Sequence, residues 1–296
     1  MVVRRDFLKL GGGALVAMAA GPVLAARLAG AGAVAEDAQL RGLEKQSGGR
    51  LGVCLWQPQT GARWGNRVDE RFPMCSTFKF VLAAAVLARA DAGQVGLDAR
   101  IAIATGDLIN FSPVTQRHVG KDLSVRDLCR ATMTTSDNTA ANLLLPVVGE
   151  PAGLTAFLRQ QGDAVTQVAR YEPEANNFAL DDPRDTTSPA AMAANLHRFV
   201  LGNALSTANR AQLADWLIDN QTGDARLRAG LPASWRIGDK TGGNGRDTTN
   251  DIAVLWPDNG QAPWLLTTYL QGASVDSAAR DDILRQVGQW ARARIG

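Results

Sequence analysis

The residues best suited to chemistry in this sequence are two lysines and a serine near one of them. Of 31 basic side chains only five are lysine, and Lys79 and Lys240 each lie in a short motif. Arginine keeps its proton in a protein, whereas a desolvated lysine amine can lose its proton and act as a base. Ser76 lies three residues before Lys79, so on a helix the two side chains share one face. The pair predicts a serine nucleophile activated by a neighbouring amine.

Two further motifs strengthen this interpretation. Ser136-Asp137-Asn138 has the composition of a helix start, and by itself it can be a cluster of N-cap residues. Lys240-Thr241-Gly242-Gly243 follows a strand-like run, and by itself it can be a plain turn. A chain of this size contains about one Ser-x-x-Lys by chance, whereas each tripeptide occurs by chance in fewer than about one chain in ten. The three motifs together, in this order, indicate a functional site.

The three motifs resemble those of the penicillin-interacting serine enzymes. Between the second and third lies the segment 170–176, Arg-Tyr-Glu-Pro-Glu-Ala-Asn, which resembles the omega loop of class A β-lactamases. The similarity in order and spacing covers nearly the whole chain after its first segment. It implies hydrolysis of the β-lactam ring of penicillins and cephalosporins through a serine acyl-enzyme, and hence antibiotic resistance. It also implies a monomer that needs no metal or cofactor.

The same resemblance implies a role for each motif residue. Ser76 would attack the lactam carbonyl, and the backbone N–H groups of Ser76 and Gly243 would form the oxyanion hole. Lys79, or Glu172 acting through a water, would be the base for acylation, and Ser136 would pass a proton to the leaving nitrogen. The implied substrate-binding residues are Asn138 for the acylamide side chain, Asn176 for the water, and Lys240 and Thr241 for the substrate carboxylate.

Glu172 separates a hydrolase from its alternatives. An acyl-enzyme that is not hydrolysed is an inhibited enzyme, whereas one beside a positioned base and water turns over. A penicillin-binding DD-peptidase or transpeptidase, or a non-hydrolysing β-lactam sensor domain, would share the three motifs, but Glu172 and Asn176 favour the β-lactamase. The resemblance also implies a cis peptide bond before Pro173 and an ion pair between Arg170 and Asp185 across the neck of the loop.

Some positions depart from the family pattern or offer other chemistry. Thr248 and Thr249 occupy the strand where many members carry an arginine, so Arg226 is the expected source of positive charge for the carboxylate. Phe111 is expected either to flank the mouth of the cleft or only to pack. The two histidines of the sequence are too few for a three-histidine zinc site and are not expected to act in catalysis.

The three cysteines, Cys54, Cys75 and Cys129, leave at least one thiol unpaired. Cys75 precedes the nucleophile, as in the carbapenem-hydrolysing branch of the family, but the corresponding partner position, at 243–244, has no cysteine. The usual partner of Cys129 is also missing, because Ala83 occupies that place. We therefore expect three buried or half-buried thiols.

Elements from distant parts of the sequence must position these motifs. Strand composition occurs in five runs, at 51–56, 63–64, 235–238, 252–256 and 264–270. Helices are expected over 36–46, over 276–294 and through most of about 90–220. The run 78–87 is apolar on nearly every side, which predicts a buried central helix that begins at the nucleophile.

We therefore expect an α/β plus all-α fold, in which the terminal helices flank a mainly antiparallel sheet and a helical lobe is inserted. The catalytic domain is expected over 36–296. Its α/β lobe would comprise about 36–68 and 218–296, and its helical lobe about 69–217. The active site would lie where the two lobes meet.

The first 35 residues are expected to form an export signal peptide. Arg4-Arg5, followed by Phe7-Leu8-Lys9 and an apolar run to Ala33, resembles a twin-arginine signal, the alternative being an ordinary secretory signal. Its removal changes the formal net charge from +2 to −1, which gives no basic signature for nucleic acid. The full sequence is 46% hydrophobic and 20% charged. After removal of the signal, the chain is expected to be globular and periplasmic, without stable membrane insertion.

Overall fold

The computed structural model describes residues 37–179, 181–258 and 260–296. The expected export signal over 1–35 lies outside these described residues. The α-helices of the described chain are α1 Ala38–Ser47, α2 Phe78–Asp91, α3 Val125–Thr134, α4 Asn138–Leu144, α5 Glu150–Gln160, α6 Pro189–Leu196, α7 Thr207–Ile218 and α8 Ser277–Ile295. The strands are β1 Arg50–Trp56, β2 Arg63–Asn66, β3 Phe72–Pro73, β4 Arg100–Ala102, β5 Asp122–Ser124, β6 Thr186–Thr187, β7 Arg236–Gly243, β8 Thr249–Trp256 and β9 Trp264–Gln271.

A five-stranded antiparallel sheet joins the two ends of the chain. Its strand order is β2-β1-β9-β8-β7, and β1 pairs with β9 so that Leu51 lies opposite Leu270. The expected fold class is therefore confirmed. The lobe boundaries stay a prediction; the one near 68 falls between β2 and β3, and the one near 217 falls at the last residues of α7.

Helices cover both faces of the sheet. Side chains of α1 and α8, such as Leu40 and Trp290, pack with Leu51 and Leu270 on one face. On the other face, Val254 and Tyr269 pack with the apolar side chains of α2 and the remaining helices. Strands that are buried on both faces carry nearly continuous apolar runs, which is why β8 and β9 were recognisable from composition.

Helix α2 is the centre of the helical region. All ten residues from Phe78 to Leu87 are buried, as this run, which is apolar except for Lys79, predicts. A short 3₁₀ turn, Cys75–Thr77, leads directly into it. The expected helical lobe, about 69–217, also contains two short ribbons, β3 with β6 and β4 with β5. Strands of two or three residues are too short to show a periodic pattern.

The motif at 240–243 was expected after a strand, but it lies within β7. Backbone pairing with β8 continues to its end, where Gly242 lies opposite Asn250 and Gly243 opposite Thr249. Glycine is uncommon in strands. Because of its two glycines, this motif was expected to lie beyond the end of the strand. Among the described residues no single helix has the length and hydropathy to span a membrane, and one bent pair, Asn138–Val148 with Glu150–Gln160, passes by length and composition only.

Candidate active site

Ser76 lies in the 3₁₀ turn that begins α2. The turn approaches β7 so closely that a Cβ atom on Gly242 would lie 2.7 Å from the carbonyl oxygen of Met74 and 3.1 Å from the backbone nitrogen of Thr77. The side chain of Asn250 on β8 donates to the same Met74 carbonyl at 3.0 Å. Ser76 is therefore held between a helix start and the outer strand of the sheet, and only glycine fits at position 242.

The amine of Lys79 connects the first two motifs. Its Nζ atom lies 2.9 Å from Ser76 Oγ, 2.7 Å from the carbonyl oxygen of Ser136 and 2.5 Å from Asn138 Oδ1. The side chain is fully buried, and this burial lowers the pKa of Lys79, while the negative charge of Glu172 acts in the opposite direction. An amine with a lowered pKa in contact with a serine hydroxyl can exchange a proton with it.

Asp137 holds the second motif in place. Its carboxylate caps α4 by accepting from the Ala140 N–H at 2.9 Å, and it also accepts from the N–H groups of Val114 and Thr115. Ser136 has a left-handed backbone conformation, with φ of +60°, just before this cap. The capped helix start thereby directs Ser136 and Asn138 toward Lys79.

Lys240 reaches the same serine from the sheet. Its Nζ donates to Ser136 Oγ at 3.2 Å and to the carbonyl oxygen of Thr241 at 2.9 Å. Burial, together with the positive charge of Lys79, lowers the pKa of Lys240 to about 7. Ser136 is therefore within reach of two buried amines, an arrangement that can move a proton across its hydroxyl group.

Glu172 is buried beside this group. Its Oε2 atom accepts from Asn176 Nδ2 at 2.5 Å, and its Oε1 atom lies 3.5 Å from Lys79 Nζ. Oε1 has no hydrogen-bond partner among the described residues, so it is the free acceptor of this carboxylate. The Glu172–Pro173 peptide bond is cis, as expected.

Side chains outside the loop fix the position of Glu172. Asn142 on α4 donates to the carbonyl oxygen of Glu172 at 2.8 Å and accepts from its N–H at 3.0 Å. The expected ion pair between Arg170 and Asp185 is present, with Nε to Oδ2 at 2.6 Å. Asn142 was not identified from the sequence. It lies one helical turn after Asn138 on the same face, and that spacing could have pointed to it.

An open cavity of about 390 Å³ contains the nucleophile and most of the expected substrate-binding residues. Its lining consists of Ser76, Asn110, Phe111, Ser136, Asn138, Asn176, Thr222, Arg226, Thr241, Gly242, Gly243, Asn244 and Gly245. Lys79, Glu172 and Lys240 are buried behind this lining. Phe111 is 62% exposed at the wall of the cavity, so it flanks the cavity and is not packed in the core. Thr222 was not identified from the sequence.

Arg226 brings a positive charge to the cavity wall. Its guanidinium donates to the carbonyl oxygens of Gly242 and Asn250 at 3.0 and 2.9 Å and pairs with Asp281 at 2.8 Å. The side chain is therefore fixed against β7. Thr249, at the start of β8, accepts from buried Arg280 and does not line the cavity.

The remaining candidates lie elsewhere. All three cysteines are free and buried, which confirms the expected buried thiols. Neither His118 nor His197 lines the cavity; His197 packs against Trp56, with ring centroids 5.2 Å apart. The described residues contain no group of His, Cys, Asp and Glu side chains suited to hold a metal ion.

A serine in contact with a buried lysine, a second serine between two amines and a buried carboxylate define the site of a serine acyl-transfer enzyme. Comparison with known proteins gives the family. A model described as "Beta-lactamase enzyme family" matches residues 36–295. Beta-lactamase L2 of Stenotrophomonas maltophilia is 56% identical over 304 aligned residues, which cover 100% of both chains.

Solved structures agree with this match. A beta lactamase from Xanthomonas campestris pv. campestris superimposes with a TM-score of 0.87 at 57% identity, covering 88% of this chain and 97% of that one. An ancestral class A beta-lactamase gives a TM-score of 0.85 at 58% identity, with 87% and 98% covered. The chain belongs to the β-lactamase enzyme family and, within it, to class A.

Proposed function

We propose that this β-lactamase opens the β-lactam ring of penicillins and cephalosporins through an acyl-enzyme on Ser76, and so confers resistance to these antibiotics. The observation that carries the proposal is the placement of Glu172. Its carboxylate is buried, held by Asn176 and Asn142, and 3.5 Å from the amine that contacts the nucleophile. A base in this position serves hydrolysis of an acyl-enzyme and not merely its formation.

Acylation begins with attack of Ser76 Oγ on the lactam carbonyl. The backbone N–H groups of Ser76, at the helix start, and of Gly243, on β7, would stabilise the developing oxyanion. Ser136 then passes a proton to the lactam nitrogen, so the C–N bond breaks as the nitrogen becomes neutral. Its hydroxyl can be resupplied by Lys79 or Lys240, which lie 3.4 and 3.2 Å away.

Two groups are suited to take the proton from Ser76. Lys79 contacts Ser76 Oγ directly at 2.9 Å, and burial lowers the pKa of this lysine, which favours the neutral, basic form. Glu172 would act through a water. By either route the proton then replaces the one that Ser136 gave to the lactam nitrogen. Lys79 passes it to Ser136 over 3.4 Å, and Glu172 can pass it to Lys79 over 3.5 Å, which leaves Glu172 unprotonated for deacylation.

In deacylation, Glu172 removes a proton from a water that attacks the acyl carbonyl. Its free Oε1 atom is the acceptor, while Asn176 holds Oε2 and helps to orient the water. The C–O bond to Ser76 then breaks, and the serine oxygen regains a proton. Glu172 passes the proton that it took from the water to Lys79, 3.5 Å away, and Lys79 passes a proton to Ser76 Oγ at 2.9 Å, so that all three groups return to their starting protonation states.

The cavity lining suggests how the substrate is oriented. The carboxylate common to penicillins and cephalosporins would lie at Thr241, where Lys240 and Arg226 add positive charge. The acylamide side chain would contact the Asn138 amide, and Phe111 would cover the open side of the cavity. Charge-assisted contacts of this kind are stronger than neutral hydrogen bonds, so the carboxylate would be the main anchor.

A penicillin-binding peptidase or a β-lactam sensor domain would also use Ser76, Lys79, Ser136 and Lys240. The buried Glu172 favours the hydrolase, because a β-lactam-derived acyl-enzyme without a positioned base and water beside it stays acylated. Hydrolysis of a chromogenic cephalosporin, with intact mass recorded in parallel, tests the choice. Multiple turnover with a transient adduct is expected. One stoichiometric burst with a lasting adduct would contradict the proposal.

Matched serine variants identify the nucleophile. Ser76→Ala is expected to abolish both turnover and the mass adduct, because no oxygen remains to be acylated. Ser234→Ala, at an exposed position outside the cavity, is the control and is expected to behave as wild type. Labelling of Ser76→Ala at the wild-type rate would refute the assignment.

We also infer that the chain is exported to the periplasm by a twin-arginine signal over 1–35, and that the mature enzyme acts as a monomer without metal, cofactor, nucleic acid or stable membrane insertion. The adjacent arginines at positions 4 and 5 support the export route. Fractionation of cells that express the full chain or a variant with both arginines replaced by lysine tests it. Light scattering of the mature enzyme tests the monomer, and an assay with a chelator tests whether a metal is needed.

A further inference from the structure

A chain of buried and half-buried polar side chains runs from the cavity to the opposite side of β7. The hydroxyl groups of Thr241 and Thr222 lie 2.5 Å apart at the cavity wall, and Thr222 Oγ1 lies 2.8 Å from Asn220 Oδ1. Asn220 Nδ2 is 2.6 Å from Asp239 Oδ2. Arg228 pairs with the other oxygen of Asp239. None of these side chains except Thr241 is used in the proposed reaction.

The partners determine which atom donates at each step. Asp239 is paired with Arg228 and accepts, so the Asn220 amide must present its NH₂ group to Asp239 and its carbonyl oxygen to Thr222. That carbonyl has no proton to give, and the Thr222 hydroxyl therefore donates to it. A hydroxyl has one proton, so Thr222 can only accept from Thr241. The Thr241 proton consequently points toward Thr222.

The Asn220 amide is held firmly in this orientation. Its oxygen also accepts from the backbone N–H of Thr222 at 3.2 Å. Gly223 lies against Asp239, where a Cβ atom would be 1.9 Å from Oδ2, so the backbone closes tightly over the pair. Asn220 and Asp239 are both buried, and an inverted amide would leave two buried contacts mismatched.

We propose that Asn220 and Thr222 are positioning residues that hold the hydroxyl proton of Thr241 away from the substrate carboxylate. The inference rests on the proposed function, in which that carboxylate lies at Thr241. To donate to the carboxylate, the Thr241 hydroxyl must first break its hydrogen bond to Thr222. The polar chain thereby lowers the affinity of the site for carboxylates, including that of the opened product, without contacting the reacting bond.

The test compares one penicillin as the free acid and as its methyl ester, which lacks the negative charge. The quantity measured is kcat/KM, because it reports transition-state stabilisation relative to free enzyme and substrate. In Thr222→Val the acceptor is lost and the Thr241 proton is free, so the acid-to-ester ratio of kcat/KM should rise about fivefold, as expected for one neutral hydrogen bond. Thr222→Ser keeps the hydroxyl and should keep the wild-type ratio.

A control separates this effect from loss of packing. Thr267 on β9 is buried and donates to the Pro189 carbonyl at 2.8 Å, outside the cavity, so Thr267→Val should leave the ratio unchanged. A lower ratio in Thr222→Val would overturn the proposal, because the Thr222 hydroxyl would then bind the carboxylate directly. An unchanged ratio would overturn it as well. Absence of turnover in the wild-type enzyme would instead refute the proposed function.

Discussion

Replacing Glu172 by glutamine is the sharpest test of the mechanism, because the structure dictates how the new side chain must lie. Asn176 Nδ2 donates to Oε2 at 2.5 Å, so the glutamine must present its carbonyl oxygen there. Its NH₂ group then occupies the Oε1 position, 3.5 Å from Lys79 Nζ. The Oε1 atom, which would accept the proton of the water, is thus replaced by an NH₂ donor in a side chain of the same shape.

The size of the effect follows from the loss of a general base. Such a group contributes about 10²–10⁴ in rate, which corresponds to about 2.7–5.5 kcal/mol in the barrier to deacylation. The expected effect of the substitution on the acylation rate depends on which of the two groups is the base. If Lys79 takes the Ser76 proton, acylation should stay within about tenfold of wild type, whereas if Glu172 takes it, both steps should slow by the full factor.

The assay is quenched-flow mixing with benzylpenicillin, followed by intact mass. Glu172→Gln is expected to accumulate one covalent equivalent that decays slowly. Glu174→Gln, at an exposed position on the same loop, is the control and should turn over normally. Wild-type turnover by Glu172→Gln would refute the role of this carboxylate in deacylation, whichever base serves acylation.

Three other changes test separate parts of the site. Burial and a neighbouring positive charge lower the pKa of Lys240 to about 7, so this amine loses its charge as the pH rises through that value. The acid-to-ester ratio of kcat/KM should then fall, and a constant ratio between about pH 6 and about pH 9 would contradict this. Gly242→Ala should lower kcat/KM about 100-fold by displacing the nucleophile's turn, whereas Gly42→Ala, where a Cβ atom meets nothing within 4 Å, should not. Arg170→Ala leaves the buried carboxylate of Asp185 without its cation and should lower the free energy of unfolding, measured in urea, by about 1.5–3 kcal/mol. An effect no larger than that of exposed Arg184→Ala would argue against a stabilising role for the Arg170–Asp185 ion pair.

Helices and strands that can be recognised from their own residues were predicted from the sequence. Nearly continuous apolar runs marked α2, β8 and β9, because elements that are buried on all sides consist mostly of apolar residues. Unusual residue types also stood out, such as the lysines at 79 and 240 in an arginine-rich chain. The placement of the motifs around one cavity agrees with the resemblance that their order suggested.

The sequence was not sufficient where geometry depends on long-range contact. Asn142 and Thr222 are ordinary polar residues, and what sets them apart is a hydrogen bond across 30 positions to Glu172 and one across 19 positions to Thr241. The end of β7 was placed too early because its glycines suit a turn. Glycine at position 242 nevertheless lies within the strand, because the turn that carries the nucleophile leaves no room there for a side chain.

The free thiols of Cys54, Cys75 and Cys129 have a consequence for where the enzyme can reach its active form. Burial raises the pKa of each thiol, so little reactive thiolate is present at neutral pH. Since all three are unpaired, no covalent cross-link contributes to stability and folding needs no oxidant. Formation of a disulfide is therefore not a condition for folding, whether the compartment is reducing or oxidising.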